Sequence, residues 1–323
     1  MRIGTLFFNE RITNDMLHAQ TQLADTQLQL STGRRIVTPS DDPSGAKAVL
    51  DTEKFQTTTE QYQENIAQIT PRLELEETVL ANADDIMQRV RELAIQGATD
   101  VYSTLDKGFI ADEIDQLLEQ MKGLAGTKDS NDEYLFSGFD RKTAPINDTS
   151  IYPPQIDQTT GLYSSNFTYE GDQGSRKVPI SANRQVLDVE NGHEVFFFRE
   201  RDLVNNTVTQ KSVFESIYNL SAALRTDPTA AVQPDMDAVI ADIEASMDQL
   251  TSVRSKAGAR LSTIEQQESA NADFILNYES QLATIRDLDY AEAITRLNRD
   301  TTALEAAQSS YVKIQGLTLF NYL

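Results

Sequence analysis

The chain has 323 residues, 39% hydrophobic and 24% charged, with a net charge of −22. Such acidity argues against nucleic acid and anionic membrane surfaces, whose binders carry basic faces. No run of about eighteen apolar residues is available to span a bilayer. Cysteine and tryptophan are absent and histidine occurs twice, so a catalyst would have to use carboxylates, Lys, Ser, Thr and Tyr.

The opening MRIGTLFFNERIT is too broken by polar residues for a cleavable secretory signal. A helix follows in which Ile12, Met16, Ala19, Leu23, Thr26 and Leu30 recur at steps of four and three. That is a heptad seam with one weak position, Thr26. Gly33 is placed to stop the helix. RRIVTPS reads as extended because Thr38 precedes a proline. Asp42 then offers an N-cap with Pro43 at the first helical position, so a second helix is expected there. Residues 33–46 form a connector between the two helices.

The second helical stretch continues the rhythm through Ile66, Ile69, Leu73, Leu80, Ala83, Met87, Val90 and Ala94, with Glu76 as the polar intruder. Pro71 inside it predicts a kink or a restart. After Gly97 a further amphipathic piece carries Ile110, Ile114, Leu117, Leu118 and Met121. From about 134 to 205 the segments EYLFSG, LYSSNFTYEG, RKVPIS, QVLDV and HEVFFF are short, aromatic or β-branched and separated by Gly, Pro and Asn-Gly. They read as strands and hairpins.

Helix resumes with KSVFESIYNLSAAL. After Pro228 and Pro234 a long seam is predicted at Met236, Ile240, Ile243, Met247, Leu250, Arg254, Ala257, Leu261, Ile264, Glu268, Asn271, Ile275, Tyr278, Leu282 and Ile285. Its polar members, Arg254, Glu268 and Asn271, suggest register-setting or partly exposed positions. The phase is lost at RDLDYAE and restarts at Tyr290, Ile294, Leu297, Thr301, Leu304, Gln308 and Tyr311. Asp289 and Glu292 have capping-box spacing, which places a helix start near 290.

The resulting architecture is mainly α: an elongated helical coiled-coil rod with a small inserted β domain, its terminal helices paired antiparallel. Residues 1–32 and 290–323 form the terminal layer, 33–46 and 286–289 the connectors, 47–139 and 206–285 the rod, and 140–205 the β-rich outer domain. Two helices about 45–50 Å long bury one stripe each, too little for an independent core. Apolar residues also lie off the seam, among them Phe7, Leu17 and Leu28 at the front and Leu317 and Phe320 at the back. Such a surface marks an interaction site, and the missing partners are most simply other chains. The ends are therefore expected to order on assembly.

LSTGRRIVTPSDDPSGA resembles the N-terminal signature of bacterial flagellins and their relatives, and DLDYAEAITRLNRDTTALEAAQSSYVKIQGLTLFNYL resembles the matching C-terminal segment. The stretches QYQENIAQITPRLELEETVLANADDIMQRVRELAIQGA and DEYLFSGFDRKTAPI resemble the hook-filament junction branch of that family. The resemblance covers about the first 145 and the last 75 residues. It implies a structural, non-enzymatic role: a ring of eleven subunits between hook and filament, with hook-associated protein 1 on the hook side and flagellin beyond. It also implies export through the flagellar type III channel to the cell exterior, a cytoplasmic export chaperone on the C-terminal helix, and no cofactor. A flagellin subunit is the other structural reading. A carbohydrate- or peptide-binding module lined by Phe196, Phe197 and Phe198 is a reading of a different class, set against the simpler one that these rings are core.

Candidate subunit or partner contacts are Phe7, Met16, Leu23, Leu30, Ile294, Leu297, Leu304, Tyr311, Leu317 and Phe320. Arg34 and Arg35 join them as intersubunit ion-pair candidates beside Asp41 and Asp42, weighed against a solvated loop in which Asp42 only caps a helix. Gly33, Asp42, Pro43, Asp289 and Glu292 are the connector and cap residues. His18 and His193 have no ligand spacing. Asp129, Asn131 and Glu133 echo a calcium loop, but Tyr134 and Asp140 stand where its Gly and Glu belong.

Overall fold

The computed structural model describes residues 2–99, 101–201 and 208–316. In chain order its elements are α1 (Arg2–Thr32), α2 (Pro43–Gly97), α3 (Thr104–Ala125), β1 (Ile146–Asp148), β2 (Phe167–Tyr169), β3 (Lys177–Ser181), β4 (Arg184–Leu187), α4 (Gly192–Phe196), β5 (Phe197–Arg201), β6 (Val208–Ser212), α5 (Val213–Arg225), α6 (Met236–Arg286) and α7 (Tyr290–Gly316). The class is mainly α with three two-stranded antiparallel sheets, β1–β2, β3–β4 and β5–β6. No helix among the described residues is long and apolar enough to cross a membrane. The chain divides into two compact units, residues 1–60 with 272–323, and residues 61–271.

In the first unit α1 packs against α7. The end of α1 meets the start of α7, where Arg296 Nη1 donates to Gln29 Oε1 at 3.5 Å, so the two helices run antiparallel. Ile12, Met16, Ala19, Leu23 and Leu30 are half-buried along this seam and Thr26 is buried. The Thr26 hydroxyl donates to the Gln22 carbonyl at 2.9 Å, which satisfies the one polar group at the seam.

In the second unit every predicted seam position of α2 from Ile66 to Ala94 is buried, Glu76 included. Burying each large aliphatic here stabilises by about 1.5–3 kcal/mol relative to leaving it in water. Leu80, Ala83, Met87, Val90 and Ala94 form one core with α3, α5 and the N-terminal part of α6. A Ser103–Asp106 capping box starts α3. Arg225 on α5 ties it to α3 through Asp112 at 2.8 Å and Asp115 at 2.5 Å. The β3–β4 hairpin lays Ile180 and Val186 on a separate cluster with Ile66, Ile69, Leu73 and Ile264.

Four expectations are corrected. Of the kink or restart expected at Pro71, the restart does not occur, because α2 runs unbroken from 43 to 97. Pro71 and Ala67 both face solvent, so water can serve the Ala67 carbonyl left without an N–H donor. HEVFFF is not one strand. Asn191 caps a helical turn by accepting the Glu194 N–H at 2.9 Å, and β5 begins only at Phe197. EYLFSG holds one isolated bridge, Tyr134 with Lys128, and otherwise turns with Leu135, Phe136 and Ser137 buried. The seams of α6 and α7 are each half right. Ile243, Leu250, Ala257 and Ile264 are buried as predicted, but the alternate line falls at Val239, Ser246 and Val253 rather than Ile240, Met247 and Arg254. In α7 it falls at Ala293 and Ala307 rather than Ile294 and Gln308, while Thr301 is half-buried as predicted, level with Asp300. A helix buries a stripe wider than two heptad positions. The smallest residue of an adjacent pair sits closest to the neighbouring helix, and the larger one flanks it.

Candidate assembly interface

The connector is built from its turn residues upward. Gly33 ends α1 at φ +67°, its N–H on the Gln29 carbonyl at 2.9 Å. That positive φ favours glycine, and a Cβ there would also lie 2.7 Å from the Tyr290 hydroxyl, which would have to move. The chain then pairs with the residues that precede α7. Arg34 bridges Asp287, the Arg35 N–H donates to the Arg286 carbonyl at 2.7 Å, and the Leu288 N–H donates to the Gly33 carbonyl at 3.0 Å.

Side chains lock the turn. Arg35 donates to the Ile285 carbonyl from Nη2 at 2.7 Å and lies 3.6 Å from Asp42. Asp41 accepts the Thr38 N–H at 2.8 Å, the Thr38 hydroxyl at 2.7 Å and the Val37 N–H at 3.1 Å. These bonds, led by the Thr38 N–H, hold its carboxyl below the usual range. Asp42 caps α2 by accepting the Gly45 N–H at 2.9 Å, with Pro43 first in the helix. That N–H, before the Ser44 hydroxyl and Arg35, lowers its pKa as well. Asp289 caps α7, its Oδ1 accepting the N–H groups of Ala291 at 2.9 Å and Glu292 at 3.2 Å. The Glu292 side chain instead accepts from Arg296 at 3.4 Å.

The candidate contacts fall into three groups. Met16, Leu23, Leu30, Leu297, Leu304 and Tyr311 are half-buried along α1 and α7. Phe7 is 68% exposed and Ile294 49% exposed, both clear of the seam. Leu317 and Phe320 lie outside the described residues. Sequence reading missed Leu50, Phe55, Phe274 and Leu276, which also stand exposed in this unit beside Leu17, Leu28, Tyr290 and Val312. The signal for them was available: each is apolar yet off the line of a regular seam.

The remaining charged and aromatic candidates have local roles. Asp129 accepts the N–H groups of Asn131 at 2.8 Å and Glu133 at 3.2 Å and faces Arg72 at 3.1 Å, which makes it the organiser of a turn. His193 stacks on Phe197 with ring centroids 5.7 Å apart, and burial lowers its pKa, helped by Arg199. Phe196, Phe197 and Phe198 are buried; Phe196 and Phe197 belong to the core, and Phe197 and Phe198 also line an open pocket with His193 and Gln210.

The models of the bacterial flagellin N-terminal helical region and C-terminal helical region match residues 3–140 and 240–323, together about two thirds of the chain. The chain belongs to the bacterial flagellin family. Over its whole length it is similar to flagellar hook-associated protein 3 of Escherichia coli strain K12, 26% identical across 99% of both chains. The protein of the same name from Salmonella typhimurium is 25% identical, again across 99% of both. Among solved structures, hook-associated protein 3 of Legionella pneumophila superposes with a TM-score of 0.61 at 19% identity, covering 72% of this chain and 98% of that one. That last likeness concerns the fold. The full-length relatives are structural proteins of the flagellum, and this member of the family is a flagellar component of the same junction branch.

Proposed function

We propose that this chain works as a mechanical adaptor, assembled as a ring of copies between the hook side and the filament of the bacterial flagellum. The observation that carries the reading is the end-to-end likeness to hook-associated protein 3, with 99% of both chains covered. The flagellin of Clostridium tyrobutyricum aligns over 34% of this chain, and the flagellar filament 41 kDa core protein of Borreliella burgdorferi aligns over 89% at the lower identity of 21%. The exposed apolar flanks of α1 and α7 support the reading, because a layer of two helices needs further chains to finish its core.

In this reading hook-associated protein 1 lies on the hook side, flagellin lies beyond, and the ring holds eleven copies. The chain leaves the cell through the flagellar export channel, with a chaperone on α7 beforehand, and works outside without catalysis or cofactor. Residues 1–32 and 290–323 act as the inner assembly layer, 33–46 and 286–289 as connectors, 47–139 and 206–285 as the rod, and 140–205 as the outer domain. The test is complementation of a cell lacking its own hook-associated protein 3. The full chain restores filaments, whereas a chain lacking 290–323 is exported but supports none. Filament growth on the truncated chain would overturn the reading.

A further inference from the structure

The connector gathers four charged side chains, Arg34, Arg35, Asp41 and Asp42, and three of them are occupied within the chain. Arg35 holds the Ile285 carbonyl and Asp42, Asp41 closes the Thr38 turn, and Asp42 caps α2. Arg34 differs. Its backbone bridges Asp287 and its N–H reaches the Thr32 hydroxyl at 3.4 Å, yet among the described residues its guanidinium meets no carboxylate or carbonyl. Among the described residues Lys47, Lys107 and Arg184 also have no ion-pair partner, and what sets Arg34 apart is the groove beside it.

A groove of about 170 Å³ opens beside it, floored by Ile36, Val49 and Leu50. Leu50 is 64% exposed. On the rim Arg286 is already taken by Glu53 at 3.3 Å and Asp287 at 3.1 Å. The groove therefore presents an apolar floor and one unsatisfied cation, which asks for an apolar side chain with a carboxylate close by.

We infer that this groove is a socket for a second copy of this chain, seating a leucine on the floor and a carboxylate on Arg34. The same unit offers the matching plug. Asp25 and Leu28 on α1, and Asp273 and Leu276 on α6, are each three residues apart and so share a helix face. All four are exposed, and among the described residues neither aspartate has an ion-pair partner. Socket and plug are different surfaces, so the contact is head-to-tail and propagates from copy to copy until it closes or winds. The inference rests on the assembly reading above and names the surface through which neighbours would recognise one another.

The chain has no cysteine, so introduced thiols report this contact alone. Full-length chains carrying Leu50→Cys with Leu28→Cys, or Leu50→Cys with Leu276→Cys, are produced in a cell lacking its own junction subunit. Isolated flagella are treated with a mild oxidant and run on denaturing gels. One of the two pairs is expected to give a ladder of disulfide-linked dimers and higher multimers. Adding Arg34→Glu should weaken the ladder at least tenfold and Arg34→Gln less, while Asp25→Lys or Asp273→Lys in the Arg34→Glu background restores it. No ladder in flagella that contain the chain, or a ladder indifferent to Arg34→Glu, overturns the socket and leaves the assembly reading standing. Absence of the cysteine-free chain from the flagella overturns both.

Discussion

The Glu190 backbone N–H donates to Glu76 Oε1 at 3.1 Å, and both side chains face the guanidinium of Arg260. Glu76 is fully buried on α2 and its Oε2 has no hydrogen-bond partner. Arg260 reaches it from α6, Glu190 and Asp188 from the segment after β4, and Glu194 lies against Glu190 from α4. Burial pushes the Glu76 carboxyl up to about 7, with the Glu190 N–H and Arg260 opposing. A carboxyl raised in the folded state binds its proton more tightly there than when unfolded. Its stabilising share is therefore complete below about 4.5 and is lost as pH rises through about 7. Glu76→Gln is expected to raise stability at pH 8 by up to about 3 kcal/mol. The gain should fade toward pH 5. Chemical denaturation of both proteins from pH 5 to 8 checks this, and the difference between them removes the share of His193, whose lowered pKa works in the opposite sense.

Asn271 is buried on α6 with its Nδ2 donating to the Ile180 carbonyl at 3.1 Å. Asn271→Leu removes the donor and strands that carbonyl, at a cost of about 1–3 kcal/mol. The loss is expected to fall first on the β3–β4 hairpin. Amide exchange along 177–187 should quicken more than in α3 or α5, and uniform quickening would contradict a local role.

Gly45 has no room for a side chain: a Cβ would lie 2.5 Å from Ile36 Cδ1 and within 2.4 Å of the Asp42 carboxylate. Gly45→Ala should push the cap open and cost about 1–3 kcal/mol by overpacking. The readout is local protection at the start of α2, which should drop while α3 and α5 keep theirs.

The seam and the flank of α7 should separate cleanly. Ala293 is buried and Ile294 is half out. Ala293→Leu forces bulk between α1 and α7 and should disturb their pairing in the lone chain. Ile294→Ala should leave the lone chain unchanged, as judged by far-UV circular dichroism, and reduce incorporation into flagella.

Element existence was legible where periodicity is strong. The α2 seam from Ile66 to Ala94 followed from spacing alone, as did the Gly33, Asp42 and Asp289 punctuation, because caps are local chemistry. What failed depended on tertiary partners. Choosing Ile294 over Ala293, and Ile240 over Val239, ranks residues by apolarity, whereas packing ranks them by the distance to the next helix. HEVFFF has the composition of a strand, but the Asn191 cap wins its first turn. The ion-pair candidates at 34, 35, 41 and 42 could not be sorted from sequence, since Arg35 finds its partner 250 residues away at Ile285.

Hydrogen exchange of α1 and α7, measured on the isolated full chain and again in flagella, is the most direct test of ends that finish their core in neighbouring chains. The expected result is rapid exchange over residues 2–40 and 290–316 in the lone monomer and protection after assembly. Slow exchange over both helices in dilute monomer, unchanged in flagella, would contradict it.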